Sequence, residues 1–443
     1  MNPSALVSFN NYRPVSNLSF LSKTLERVVA DLGEPFQSAY RKGHSTESAL
    51  LRIQTDIRTA LGQKKVVLMA MLDLSAAFDT VDHDLLLATL SSIGIQGVAL
   101  QWFQSYLNDR KQCVTIQASR SNAQPLRSGV PQGSVIGPIL FNVYTRSLGA
   151  LLRAHNVMYH LYADDAKIYL ACDPLDIAAA KTHLEECISA VQIWMAQHKL
   201  KLNDDKTDFM VFATKETAKR IEQQVLCVGG CDIPQSHSVK NVGFTMNASL
   251  TCDEQVKAVC RVGYAQLKAL SKIKPFVDRA SLETIVHTLI TTRIDYCNAL
   301  HYGASQSTLQ KLQLLQNFCA RLLSGAKRHE HVTPILFELH WLPVKERVAF
   351  KTFVMIYNCL QHRGPSYLSE LIHPHQPVRP MRHHDNLLLE VPFTRCNYLY
   401  TTCFTCYAPR LWNSLPYSIR SVNSLDVFKQ RLKTHLFILY FNV

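Results

Sequence analysis

Apolar and polar positions follow three rhythms along the chain. Between Lys64-Lys65 and Asp73 stand seven consecutive apolar residues, Val66 to Leu72. A run of that length and composition predicts a buried central strand that delivers one carboxylate at its end. The next segment adds Asp79, Asp82 and Asp84, and Leu85-Leu86-Leu87 then begins a helix. Further on, two β-prone runs, Met158–Tyr162 and Ala166–Leu170, flank Asp164-Asp165, which predicts a hairpin with two adjacent carboxylates at its tip. From Cys252 the period becomes helical. Val256, Val259, Leu267, Leu270 and Ile273 form one stripe with Gly263 in its gap; Leu282, Ile285, Val286, Leu289 and Ile290 form another. Both stripes read as core packing. A Pro/His-rich stretch from His373 to His384 reads as a loop or linker. A last amphipathic helix is expected from Asn423, capping the backbone at Asp426, with Leu425, Phe428, Leu432 and Leu436 on one face.

Composition narrows the class. The 443 residues are 47% hydrophobic and 18% charged, which excludes disordered and collagen-like chains. This length allows roughly two to four units, each with its own core. No apolar run approaches the roughly 18–20 residues of a membrane span, and Met1 to Asn10 lacks the order of a signal peptide. No membrane partner is expected, and the location expected is intracellular, in nucleus or cytoplasm. The 13 cysteines are odd in number and scattered through apolar stretches, as reduced thiols are. Cys403-x-x-Cys406, with Cys396 and His383-His384 upstream, lacks a second ligand pair at regular spacing, so no zinc is expected. A net charge of +13 favours polyanionic partners. The segment 327–443 carries 14 Lys and Arg against 7 Asp and Glu, about half of the surplus.

The acids carry the candidate chemistry. An isolated strand-end aspartate is most often a cap, and Asp-Asp in a turn is usually turn chemistry, because Asp bonds its own backbone. The apolar flanks of both segments argue against solvated turns. Three carboxylates brought together raise one another's pKa unless cations neutralise them. Two hard divalent ions about 3.5–4 Å apart on carboxylate oxygens are the usual solution for phosphoryl transfer. Between the acids lies Ser128-Gly129-Val130-Pro131-Gln132-Gly133-Ser134-Val135-Ile136-Gly137-Pro138, a rigid Gly/Pro loop entering an apolar helix. Such a loop lets backbone approach a ligand closely, and the Gln132 amide can reach sugar or base. By itself the loop is equally well structural.

The order of motifs resembles that of reverse transcriptases. Asn11-Tyr12-Arg13-Pro14-Val15-Ser16, Gln37 to Thr46, Leu72 to His83, Gly129 to Phe141 and Tyr162-Ala163-Asp164-Asp165 follow one another as in that family, in wording similar to non-LTR (LINE-type, Jockey-like) retrotransposons. Leu202 to Thr207, Val239 to Phe244, His340 to Val344 and Ala408 to Pro416 continue the likeness, so it covers nearly the whole chain.

The resemblance implies an α+β right-hand polymerase. Fingers and a palm with an antiparallel sheet would occupy 1–250, a helical thumb 251–325, and a basic, mixed but mostly helical carboxy-terminal region 326–443. It implies that Asp73, Asp164 and Asp165 bind two Mg2+ ions, with Mn2+ a possible substitute. Phe78 matches a steric gate under the sugar, where a flat ring leaves no room for a 2′-hydroxyl. Gln132 and Gly133 match a loop contacting nucleotide and template. Arg13, Arg41 and Lys42 match finger positions holding triphosphate oxygens, and Lys206 a basic residue that protonates leaving pyrophosphate. Each of these basic residues has an alternative as a surface charge. Asp79 reads as structural. The expected partners are an RNA template, a DNA primer and deoxynucleoside triphosphates.

Full elements of this kind carry an endonuclease before the polymerase, whereas this chain begins at the first finger motif, which suggests a truncated copy. No ribonuclease H signature is present. The connection from Glu26 to Gln37 is shorter than in relatives, which would shift Arg41 and Lys42. Two classes follow: an active RNA-directed DNA polymerase, or a catalytically inactive relic that only binds nucleic acid. A metal nuclease is disfavoured by the Pro131-Gln132-Gly133 loop and Phe78.

Overall fold

The run Val66–Leu72 forms strand β1 and is buried at every position. Its partners are β2 (Met158–Tyr162), β3 (Asp165–Cys172) and β4 (Asp208–Phe212), in the order β4-β1-β3-β2 with every neighbour antiparallel. This computed structural model describes residues 34–442, except 76–77, 117–118, 132, 135, 204–205, 376–386 and 394–397. The antiparallel sheet is the one the resemblance implies for a palm.

Side chains alternate across a strand, so β1 feeds two cores. Val66, Leu68, Ala70 and Leu72 face one core, with Ile168, Leu170, Phe209 and Val211. The helices Ile136–Tyr144 and Ile177–Gln197 close it, through residues such as Leu140, Phe141, Leu184 and Val191. Val67, Met69 and Met71 face the other, with Tyr169, Met210 and Phe212. Each large apolar side chain buried this way contributes about 1.5–3 kcal/mol. β1 is therefore apolar throughout because neither face meets water.

The second core extends far beyond the sheet. Helix Thr46–Gly62 lies in it, entered through a capping box between Ser45 and Ser48. The helices Asp253–Ile273 and Gln306–Ser324 meet where Gly263 faces Leu315. A Cβ at Gly263 would stand 2.6 Å from a Leu315 methyl, so any larger residue must push that buried side chain aside. Val256, Val259 and Leu270 are buried as the stripe predicts, whereas Ile273 is exposed at the helix end. Leu282, Val286 and Ile290 turn inward from Arg279–Val286 and the wider π-turn that follows.

Carboxy-terminal helices share the same core. Phe353, Ile356 and Tyr357 of Val344–Leu360 pack with Trp412 of Phe404–Asn413 and with Phe428, Leu432 and Leu436 of Leu425–Phe441. That last helix shows the expected apolar face but not the expected cap. Ser424 is the extended residue before the helix (φ −97, ψ 128) and makes no side-chain cap bond, which leaves Asn423 one position too early. Cys403 and Cys406 are buried thiols, with the Thr59 hydroxyl 3.7 Å from the Cys403 sulfur. The His383, His384 and Cys396 positions lie outside the described residues. Among the described residues no helix is long and apolar enough to cross a membrane.

Candidate active site

Strand register brings the acids to one end of the sheet. The β1–β3 ladder runs from Val66↔Cys172 to Leu72↔Ala166, so the next residue, Asp73, arrives level with Asp165. Tyr162↔Asp165 closes the β2–β3 hairpin, leaving Ala163 and Asp164 as its turn. Ala163 adopts φ 54, the left-handed conformation that a tight reversal needs. All three acids are half-buried.

Charge interactions report the same convergence. The Asp164 carboxyl is pushed above its usual range, first by burial and then by the Asp165 and Asp73 charges, with Lys167 opposing. Lys167 is 4% exposed and its ammonium stands 3.3 Å from Asp165 Oδ2. Burial pulls its pKa down, while Asp165, Asp164 and Asp73 pull it up. Lys206 donates to Asp73 Oδ2 at 3.2 Å, and Asn203 Nδ2 donates to the same oxygen at 3.4 Å.

The donor set suits hard divalent cations: three carboxylates, half-open to solvent, with raised mutual repulsion. Among the described residues no three acidic, histidine or cysteine groups stand ready as a metal cluster. Asp73 and Asp165 instead each turn an oxygen to an ammonium. An ion bound there would compete with those ammonium groups for the two Oδ2 atoms.

The Gly/Pro loop rests on the segment after Asp73. Gly129 donates to the Val81 carbonyl at 2.8 Å and Val130 to the Phe78 carbonyl at 2.9 Å. Gly129 has φ 88, and a Cβ there would meet the Asp79 backbone at 2.9 Å. Asp79 therefore lies under the loop through its backbone. Phe78 is half-buried, its ring 4.5 Å from Phe141 and edge-on to Tyr40 at 6.4 Å. Gly133 is exposed with φ 85 in the turn before helix Ile136–Tyr144. Arg13 and Gln132 lie outside the described residues.

The residues matched to finger positions divide. Lys42 is exposed. Arg41 directs Nη1 at the carbonyls of Glu34 (2.8 Å), Gln37 (3.1 Å) and Pro35 (3.3 Å), so that nitrogen holds its own segment rather than facing outward. Sequence reasoning passed over Gln37, Tyr40, Lys167 and Asn203 as site residues. The signal for Lys167 was present, since a lysine two positions after Asp165 shares its strand face. Gln37 and Asn203 meet the site only through distant contacts.

A family model described as "Reverse transcriptase (RNA-dependent DNA polymerase)" matches residues 4–246. The chain is 27% identical over 394 residues to a probable RNA-directed DNA polymerase from transposon BS of Drosophila melanogaster, covering 84% of this chain and 42% of that protein. It is 26% identical over 335 residues to the RNA-directed DNA polymerase from mobile element jockey of Drosophila funebris, covering 72% of this chain and 36% of that protein. This chain thus spans less than half the length of these curated relatives. A solved telomerase from Candida tropicalis aligns at 12% identity and TM-score 0.38, over 74% of this chain and 59% of that one.

Proposed function

The chain belongs to the reverse transcriptase (RNA-dependent DNA polymerase) family, and we propose that it copies an RNA template by adding deoxynucleotides to a DNA primer. The observation that carries this reading is the register that sets Asp73 level with Asp165 beside the Asp164 turn. A catalytic site for nucleotidyl transfer needs positioning and charge neutralisation more than covalent chemistry.

The primer 3′-hydroxyl attacks the α-phosphate of the incoming triphosphate in line, and pyrophosphate leaves from the opposite side. Asp73, Asp164 and Asp165 would hold two Mg2+ ions, which supply a lowered pKa for the attacking hydroxyl and neutralise the leaving oxygens. Lys206 is placed beside Asp73 and carries a proton for the leaving pyrophosphate once that carboxylate takes a cation instead. Phe78 lies under the sugar and, with its ring backed by Phe141, resists displacement by a 2′-hydroxyl. Gly133 lies along the base pair being formed, while Lys42 attracts the triphosphate; the corresponding roles of Gln132 and Arg13 rest on their motifs alone. Arg41 contributes through the segment it fastens, its remaining guanidinium edge being the part available to phosphate. The basic surplus suits the phosphates of the template–primer duplex.

Primer extension on an RNA template with magnesium tests the reading. Asp164→Asn should abolish extension, lowering the rate by at least about 10²-fold, while leaving template–primer affinity largely intact. A wild-type chain that binds duplex yet adds no nucleotide would establish the inactive, binding-only alternative. Loss of folding in Asp164→Asn would mark a structural carboxylate.

A further inference from the structure

We propose that Gln37 is a positioning residue for the turn that carries Asp164: its carboxamide grips both backbone groups of Ala163 and sets where the next carboxylate stands. For its catalytic consequence the inference rests on the polymerase reading. Gln37 Oε1 accepts from the Ala163 N–H at 2.9 Å, and its Nε2 donates to the Ala163 carbonyl at 3.2 Å. The same Oε1 accepts from the Ala39 N–H at 3.0 Å, which fixes the amide plane. Gln37 is 1% exposed, so these bonds form away from competing water.

The grip falls on the residue that most needs it. Ala163 has φ 54, a strained conformation that a non-glycine residue keeps only where its surroundings impose it. Two hydrogen bonds to one residue impose it. Rotation at Ala163 would swing the Asp164 carboxylate, and a displacement of about 1 Å can slow a positioned reaction by about 10²-fold.

Gln37 is itself anchored to the sheet. The Phe36 carbonyl accepts from Leu161 N–H at 2.9 Å, and Ser38 N–H donates to the Leu161 carbonyl at 3.0 Å, making a short parallel bridge along β2. Ser38 Oγ lies 2.7 Å from both His160 Nε2 and the Tyr367 hydroxyl, so the carboxy-terminal region supports the same segment. Asn142 Nδ2 donates to the Ala39 carbonyl at 2.9 Å. Side-chain length is critical: asparagine is one methylene shorter, and glutamate loses the donor.

The test compares the full wild-type chain with Gln37→Met, which keeps length and removes all three side-chain bonds, and Gln37→Glu, which removes the donor. Amide hydrogen exchange of a peptide spanning Tyr162–Asp165, Mn2+ binding by electron paramagnetic resonance, single-turnover extension and primer–template Kd are measured. Both variants should exchange faster at the turn, and Gln37→Met should bind Mn2+ about tenfold more weakly, a loss of about 1.4 kcal/mol. Single-turnover extension by Gln37→Met should slow by about 10²-fold with primer–template Kd nearly unchanged. Wild-type exchange at the turn overturns the proposal, as does a defect confined to primer–template Kd. If Gln37→Met exchanges faster throughout the chain, Gln37→Glu decides: wild-type turn exchange and Mn2+ affinity in that variant refute the brace. A wild-type chain that extends no primer refutes the polymerase reading, whereas the exchange comparison still judges the brace.

Discussion

At the scale of residues, burial and contact distinguish groups that a motif treats alike. Arg41 and Lys42 are adjacent cations, yet one points a nitrogen at three backbone carbonyls and the other lies exposed. Phe78 matches its motif and stands in a ring cluster with Phe141 and Tyr40. Replacing it by alanine removes the flat surface while leaving the Val130–Phe78 backbone bond available. Phe78→Ala should therefore admit ribonucleotides, with the ribo-to-deoxyribonucleotide incorporation ratio rising about tenfold or more in competition assays. Unchanged sugar selectivity would remove Phe78 from the gate. The aspartates were legible in sequence because a carboxylate at the end of an apolar strand is locally anomalous. Gln37 carries no such mark, since its partner Ala163 lies 126 residues away.

At the scale of elements, the periodicities identify strands and helices well, and their ends less well. The hairpin, β1 and the helical stripes form where the pattern puts them, because each buries one repeating set of side chains. The cap expected of Asn423 fails because the chain enters that helix through extended Ser424. Gly263 shows the value of a gap in a stripe. Its absent Cβ leaves room for Leu315, whose side chain is fully buried. Gly263→Val should force the two helices apart and destabilise the fold by about 1–3 kcal/mol, read as a lower denaturation midpoint. Pairing it with Leu315→Ala should recover part of the loss, and strictly additive effects would show that the two residues do not touch.

At the scale of the whole molecule, one core runs from helix Thr46–Gly62 through the sheet to the carboxy-terminal helices. Buried polar groups in that assembly make its stability depend on pH. His301 is 2% exposed, and burial holds its imidazole down at about 4. His160, on strand β2 of the hairpin, is held down to about 3, by burial first and then by Lys167. An unfolded imidazole takes a proton below about 6.5, whereas the folded one stays neutral. The folded state therefore keeps its full stability above about 6.5 and loses it as pH falls from there toward 4. Glu47 and Asp56, raised by burial, act in the opposite sense. The His301→Gln variant isolates one imidazole. Between pH 7 and 5 it should lose roughly 2 kcal/mol less stability than wild type in matched denaturant titrations. Parallel losses would mean that His301 titrates normally in the fold.

The amino-acid order alone determined which segments become strands and helices, and which acids, aromatics and lysines are candidates for the proposed chemistry. Those properties are local: a side-chain period or a glycine-rich turn is written within a few neighbouring residues. Only the tertiary structure decided that Gln37 clasps the Ala163 turn and that Tyr367 reaches Ser38 across 329 residues of chain. Such meetings depend on strand register and on how two cores fill on opposite faces of one sheet. Each is fixed by many residues at once, so no short stretch of sequence encodes it.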